Sequence, residues 1–398
     1  MDPVRNPYTP NAGATPPYLA GREQQIRDFE ILLDRLASKR TEKAMALVGL
    51  RGVGKTVLLL EFERIALEKK WIPIQGEVSK NVPFAGQMAS LARKALLRVS
   101  PKARWGELAR SAASIIKAFS LSVQPDGTLT AGLDVVAAEG IADTGSLIDD
   151  LPDVFEAIGH AARERGTGVV FLLDEIQFVS KEELEALIAS VHRATQRKLP
   201  VTFTAAGLPQ LPGLSGDAKS YAERAFRYVD IDALPQPEAD AALVRPASDE
   251  DVQYEVGAIS KVFEYTEGYP YFIQEYGRAA WNLADVSPIS AEIVEEAKGE
   301  VDRELDDSFY RTRVQRSTKE ELRYLRAMAE LGKAEQKASD VADVLGKTSE
   351  QVAPLRARLI SKGLLYTPRF GYAKFTVPQF DIFMRRYMPD LDADPAGD

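Results

Sequence analysis

The sequence predicts an α/β protein: a three-layer parallel sheet carrying a phosphate-binding loop, then an all-helical segment, then a helical module closed by a hairpin. Three observations predict it. A G-x-x-x-x-G-K-T run, Gly49 to Thr56, stands between an apolar strand and an amphipathic helix. A second apolar run, Gly168 to Leu173, ends on the paired acids Asp174 and Glu175. Strand signals stop after Asp232, and only helical periodicity and a late hairpin follow.

Each element has its own warrant. A Pro-rich leader over 1–20 lacks the apolar core of a secretory signal and is expected to wrap onto the fold as extended chain. Leu19–Lys39 reads as a helix before the first strand, Ala44–Val48. The loop and its helix, continuing through Glu61–Lys69, come next. Trp71–Val78, Val169–Asp174, Pro200–Ala206 and Arg227–Asp232 are further buried strands, and Ile148–Arg165 and Lys181–Lys198 are amphipathic helices between them. Residues 79–167 hold an insertion, with helices near Pro83–Val99 and Trp105–Phe119. A hairpin is expected there from Leu121 to Asp134 around the turn Gln124-Pro125-Asp126-Gly127. These parts form one domain over 21–234.

Leu234-Pro235-Gln236-Pro237 reads as a hinge into a helical domain over 235–316, with helices at Pro237–Val244, Val252–Glu267, Tyr269–Ala284 and Ile289–Arg311. Residues 317–390 differ again. Helices at Thr318–Leu331, Ala338–Leu345 and Thr348–Ser361 precede strands at Leu364–Thr367 and Tyr372–Val377. Three helices then a hairpin are the order of a winged helix-turn-helix, followed by a tail at 391–398. Pro354 is expected to start the third helix late or to bend it.

The 398 residues exceed one core, and the 45% hydrophobic and 27% charged composition is that of an ordinary globular chain. With no cysteine, disulfides, thiolate metal sites and cysteine nucleophiles are excluded, and a cytoplasmic location is expected. His160 and His192 are too few for a multi-histidine metal site and read as helix-surface residues. Trp71, Trp105 and Trp281 read as packing residues. No apolar run is long enough to span a membrane, so no membrane partner is expected. The net charge of -9 excludes a generic polyanion binder, but residues 317–390 hold 13 basic against 9 acidic residues and so carry +4.

The loop carries the chemistry. Its glycines let successive N–H groups turn toward phosphate oxygens, and the following helix adds its positive end. Lys55 can reach the β- and γ-phosphates of ATP, and Thr56 can place a hydroxyl on Mg²⁺. Gly49, Gly52, Val53, Gly54, Lys55, Thr56 and Val57 are therefore the expected contacts for ATP or ADP. Asp174 would share the metal shell with Thr56, and Glu175 would accept a proton from, or orient, the attacking water.

The order of parts resembles the AAA+ superfamily of P-loop NTPases, in the AAA_16-like branch that holds Orc1/Cdc6-like initiators and STAND-type regulatory ATPases. Leu19-Ala20-Gly21-Arg22-Glu23 is similar to the family's N-terminal box, which implies that Arg22 lines the adenine pocket. Gly49–Thr56 matches Walker A, and Leu172–Glu175 matches Walker B. Glu267-Gly268-Tyr269-Pro270 resembles the opening of a lid helix, which brings Pro270 to the nucleotide. Arg224 stands where relatives keep an arginine finger, with Arg227 as runner-up; a finger working in trans implies homo-oligomers in the ATP state. The sensor 1 place reads Ala205 to Gln210 without Asn or Thr at its tip. The sensor 2 place holds Tyr271, with Arg278 two turns on.

Two functions follow as expectations. One is a slow or partner-stimulated ATPase switch acting on double-stranded DNA, with Arg356, Arg358 and Lys362 on the third helix and Arg369 and Lys374 on the wing as contacts. The other is a nucleotide-dependent signalling scaffold whose C-terminal module docks a protein partner. A small-molecule kinase fits less well, having no use for the Asp174–Glu175 pair or the C-terminal module.

Overall fold

The computed structural model describes residues 1–11, 13–101, 105–213 and 226–391. Two compact units are present: Arg22–Gly49 with Lys55–Ile231, here the sheet unit, and Met1–Gly21 with Leu50–Gly54 and Asp232–Asp398, here the helical unit.

The sheet unit contains α1 (Glu23–Ala37), β1 (Ala44–Val48), α2 (Lys55–Glu68), β2 (Ile72–Glu77), α3 (Phe84–Val99), α4 (Glu107–Val123), α5 (Leu147–Glu164), β3 (Val169–Asp174), α6 (Lys181–Gln196), β4 (Val201–Gly207) and β5 (Phe226–Asp230). The five strands are parallel, in the order β2-β3-β4-β1-β5. Register is set by pairs such as Met45 with Thr204, Val169 with Val201 and Ile72 with Val169. β1 and β4 are buried along their whole length, as continuous apolar runs between helices should be. Because every strand runs the same way, the ends of β1 and β3 that carry Gly49 and Asp174 emerge along one edge.

Helices cover the sheet through apolar stripes. Phe29 of α1 stacks on Phe62 of α2 with ring centroids 4.1 Å apart. α3 buries Met88, Ala92, Leu96 and Val99 in the same core as Ile74 of β2. Its approach to β2 is so close that a Cβ at Gly76 would come within 2.7 Å of Leu91 Cδ1.

The insertion departs from expectation. Residues 121–123 do not form a strand: α4 runs on to Val123, because Ile116, Phe119 and Ser120 continue its buried helical face and the Ser120 hydroxyl donates to Ile116 O at 2.7 Å. The turn is where it was expected, with Gly127 at φ 77° and the Thr128 N–H donating to Asp126 Oδ1, but a short 3₁₀ turn at Thr128–Thr130 follows it instead of a second strand. The local alternation of apolar and polar residues over Leu121–Val123 was misleading here, since among the described residues no strand pairs with it.

The helical unit contains α7 (Gln236–Ser248), α8 (Val256–Thr266), α9 (Pro270–Leu283) and α10 (Ala291–Glu304), which passes into a π-helical stretch at Leu305–Arg311. The leader docks on these helices. The Tyr8 hydroxyl donates to Leu243 O at 2.5 Å, Trp281 Nε1 donates to Asp2 O at 2.9 Å, and the Tyr8 ring fills the space a Cβ would need at Gly277. Further on come α11 (Lys319–Leu331), β6 (Gln336–Lys337), α12 (Ala338–Val344), α13 (Ser349–Ser361), β7 (Leu365–Tyr366), β8 (Tyr372–Phe375) and α14 (Phe380–Tyr387). The strands form an antiparallel sheet in the order β6-β8-β7. α11 and α13 each begin with a capping box, Thr318 with Glu321 and Thr348 with Gln351. Those caps fix the start of α13 at Ser349, and Pro354 is carried inside the helix, not at its beginning. Tyr310 joins the π-helical stretch to the end of the chain: its ring stacks on Phe383 at 5.0 Å and its hydroxyl donates to Pro378 O at 3.0 Å.

Among the described residues no helix is long and apolar enough to cross a membrane.

Candidate functional site

At the end of β1 the chain leaves the sheet through Gly49, whose N–H donates to Gly207 O at the end of β4 at 3.1 Å. Gly52 and Gly54 then take φ of 84° and 92°, which L side chains rarely adopt. A Cβ at Gly54 would meet none of the described residues within 4 Å. α2 starts at Lys55, and its Nζ donates to Gly49 O at 2.9 Å, which folds the ammonium back over the loop. Val53 is buried and Val57 is half-buried. This is a ring of backbone around a helix N-terminus, the arrangement that binds phosphate through N–H groups and the positive helix end.

Thr56, in the first turn of α2, donates its hydroxyl to Asp174 Oδ2 at 2.6 Å. The other oxygen, Asp174 Oδ1, accepts the N–H of Glu175 at 2.8 Å. A hydroxyl and a carboxylate so placed form a hard-oxygen pair, which suits Mg²⁺. Glu175 follows in the left-handed region at φ 54°, a conformation that costs a non-glycine residue roughly 1–2 kcal/mol.

Gln177 holds Glu175 in that position, and sequence reasoning missed it. Its Nε2 donates to Glu175 Oε2, while its Oε1 accepts the N–H of Leu208 at 3.1 Å. One amide therefore ties the acid after β3 to the chain after β4. A Cβ at Gly207 would press within 2.9 Å of Ile176 Cγ2, so only glycine leaves room for this turn. The available signal was the glutamine two residues beyond the acid pair. At the sensor 1 place, Gln210 has a buried Oε1 without a hydrogen-bond partner among the described residues.

Other expected residues sit as follows. Arg22 is buried at the start of α1. Arg227 pairs with the buried Asp28 at 2.6 Å, so the runner-up finger is engaged by its own unit. Arg224 lies outside the described residues. In the helical unit, Pro270 opens α9, and Gly268 before it has φ 72° and no room for a side chain, since a Cβ would stand 2.0 Å from Leu234 O. The loop-apex residues of that unit are lined by Tyr269, whose Cε1 lies 3.0 Å from a Cβ built at Gly52. Burial pushes the Tyr269 phenol far above its ordinary value. Arg278 is held by Glu275 at 3.0 Å, and Tyr271 stacks on Phe309 at 4.8 Å.

The five basic residues considered for DNA are largely engaged within their own module. Arg358 and Lys362 reach Glu321 at 3.1 and 2.6 Å. Burial alone would raise the Glu321 carboxyl, but the hydrogen bonds from Lys362, the Thr318 backbone and Arg358 outweigh it and hold it below the usual range. Arg356 donates to Tyr372 O at 2.8 Å, and Arg369 pairs with Glu335 and stacks over Tyr372. Lys374 has no ion-pair partner among the described residues.

Comparison with known proteins agrees with this geometry. Residues 18–204 match the family described as AAA ATPase domain, and residues 307–384 match a family described as a domain of unknown function (DUF8462). The fold is similar to that of the Walker-type ATPase PABY2304 of Pyrococcus abyssi, at 16% identity and a TM-score of 0.51, over 92% of this chain and 96% of that one. Weaker likeness extends to Cdc6p of Pyrobaculum aerophilum, at 13% identity and TM-score 0.48 over 97% of each chain. Aeropyrum pernix Orc1, solved in complex with DNA, gives 15% identity and TM-score 0.45 over 96% of each chain. No curated protein matches the sequence. Residues 18–204 thus match the AAA ATPase domain, and the parallel five-stranded sheet with its loop at Gly49–Thr56 has the P-loop fold of the AAA+ class.

Proposed function

We propose that the protein is an ATP-dependent switch: it binds ATP with Mg²⁺, hydrolyses it slowly or on stimulation by a partner, and relays the nucleotide state to its C-terminal module. The observation that carries this reading is the 2.6 Å contact between Thr56 and Asp174, with Glu175 fixed beside it through Gln177. Thr56 and Asp174 would hold the metal, which supplies positive charge to the phosphates during transfer. Lys55 exchanges its bond to Gly49 O for phosphate oxygen. Glu175 takes a proton from water as the water oxygen bonds to the γ-phosphorus and the bond to the bridging oxygen breaks; ADP and phosphate leave. Arg22 and Pro270 would flank the base, and Arg224 would serve a neighbouring copy in an ATP-state homo-oligomer.

The output partner has two readings. The DNA reading rests on the +4 charge of residues 317–390 and on Lys374 and Arg369 at the hairpin of a winged-helix order. The protein-partner reading is favoured by one specific observation: Arg358 and Lys362 are already engaged by the Glu321 carboxylate, which offsets one of their two charges. The test is the ATPase rate of the purified chain with and without duplex DNA over a range of salt, with oligomer size followed alongside. DNA-stimulated turnover that weakens with salt supports the first reading. ATP-dependent assembly with no affinity for DNA at low salt supports the second. A chain that neither binds nor hydrolyses ATP, and behaves as its Lys55→Ala variant does, ends both.

A further inference from the structure

The sheet unit has a second site at the edge opposite the phosphate loop. A cavity of about 250 Å³ opens where the chain enters β2, β3 and β4, with Leu36, Trp71 and Pro200 among its apolar walls. Among the described residues five cations line it, Lys39, Lys69, Lys70, Arg163 and Lys198, and no carboxylate does. Lys69 is paired with Asp34 at 2.8 Å, and Arg163 lies 2.9 Å from His160 Nδ1. Lys39, Lys70 and Lys198 have no hydrogen-bond or ion-pair partner of their side chains among the described residues.

The backbone under these lysines is unusual. α1, α2, α5 and α6 all end beside the cavity in the same way. The second residue after each helix donates to the carbonyl three positions back, and the next residue donates to the one five back, as in Lys39 to Leu36 with Arg40 to Arg35. That second residue is left-handed in all four. After α5 it is Gly166, at φ 66°, the residue that adopts this conformation without strain. After α1, α2 and α6 it is Lys39, Lys70 and Lys198, at φ 58°, 59° and 52°. A lysine in the last helical turn would answer the helix dipole equally well and without strain. The four helix ends present roughly half a negative charge each, about -2 together, against five cations, so a positive surplus remains.

We propose that this basal cavity binds a compact organic polyphosphate, its phosphates held by Lys39, Lys70 and Lys198 and its frame set against Leu36 and Trp71. Its apolar walls and limited volume suit a small molecule better than an extended backbone, and clustered lysines suit groups of high negative charge. The proposal is independent of the nucleotide reading, because the cavity lies at the opposite ends of the strands.

The test uses fructose 1,6-bisphosphate as probe, titrated calorimetrically into the full chain carrying Lys55→Ala to disable the phosphate loop. Binding that weakens with salt is expected. The same chain with Lys39→Gly, Lys70→Gly and Lys198→Gly should lose at least tenfold in affinity while unfolding at the same or a higher temperature, since glycine relaxes the left-handed positions. Lysines with a purely structural role would give the opposite pair of results: unchanged affinity and a lower unfolding temperature. A second arm replaces the probe with short duplex DNA. No binding of the bisphosphate at low salt, affinity unchanged in the triple-glycine chain, or lysine-dependent binding of the duplex alone would each overturn the proposal.

Discussion

The Thr56 hydroxyl and the Asp174 carboxylate meet at 2.6 Å although 118 positions separate them in sequence. The contact exists because β1 and β3 are parallel and both run toward the same edge, with β4 between them. Asp174 is also gripped from its other oxygen by the Glu175 N–H, so its orientation is set before any ligand arrives. Preorganised oxygens of this kind lose little on binding a metal-bound phosphate.

Glu175→Gln keeps the shape and removes the proton acceptor. We expect ATP affinity within about threefold of wild type and a turnover at least ~100-fold lower, measured by nucleotide titration and phosphate release. Robust turnover would remove Glu175 from its role.

Gln177→Leu should act through Glu175. With both amide bonds lost, kcat should fall about tenfold while KM for ATP stays within about twofold. Amide exchange at Leu208, whose N–H loses its acceptor, should rise in parallel. A change in KM alone would show that Gln177 serves binding and not the acid.

Gly268→Ala should destabilise the helical unit by about 2–3 kcal/mol, because the new methyl meets Leu234 O and the left-handed backbone both oppose it. Denaturant unfolding reads this directly; a change below about 0.5 kcal/mol would contradict the close packing.

Glu321 gives a pH-dependent prediction. Its folded carboxyl lies below the ordinary range, so its ion pairs contribute stability that is present above the unfolded value and is lost as pH falls through the folded one. The double variant Arg358→Ala, Lys362→Ala leaves a buried carboxylate unpaired. It should melt well below wild type at neutral pH, with the difference narrowing as the pH falls from the ordinary carboxylate value downward. A constant difference across that range would mean that the cations stabilise by packing alone.

Much of the sheet unit was legible in the sequence because its signals are local. Gly49 to Thr56 and Gly168 to Glu175 each carry strand, turn and chemistry in one short run, and the buried strands read as apolar runs. What was not legible depends on partners distant in sequence. The run from Leu121 to Val123 alternates like a strand, but α4 claims it through Ile116 and Phe119, and among the described residues no strand pairs with it. The short β6 at Gln336–Lys337 exists only because β8 pairs with it. The engagement of Arg358 and Lys362 follows from Glu321 facing α13 from a capping box, which a count of basic residues does not reveal. The basal cavity brings together four helix ends from Lys39 to Lys198, none notable alone.

The most direct test of the metal pair is ATP affinity measured with Mg²⁺ and with chelator, in the wild-type chain and in Asp174→Asn. The wild type should bind ATP at least ~10-fold more tightly with Mg²⁺, and the variant should lose most of that gain while keeping its metal-free affinity. An equal Mg²⁺ effect in both proteins would show that Asp174 does not share a metal with Thr56.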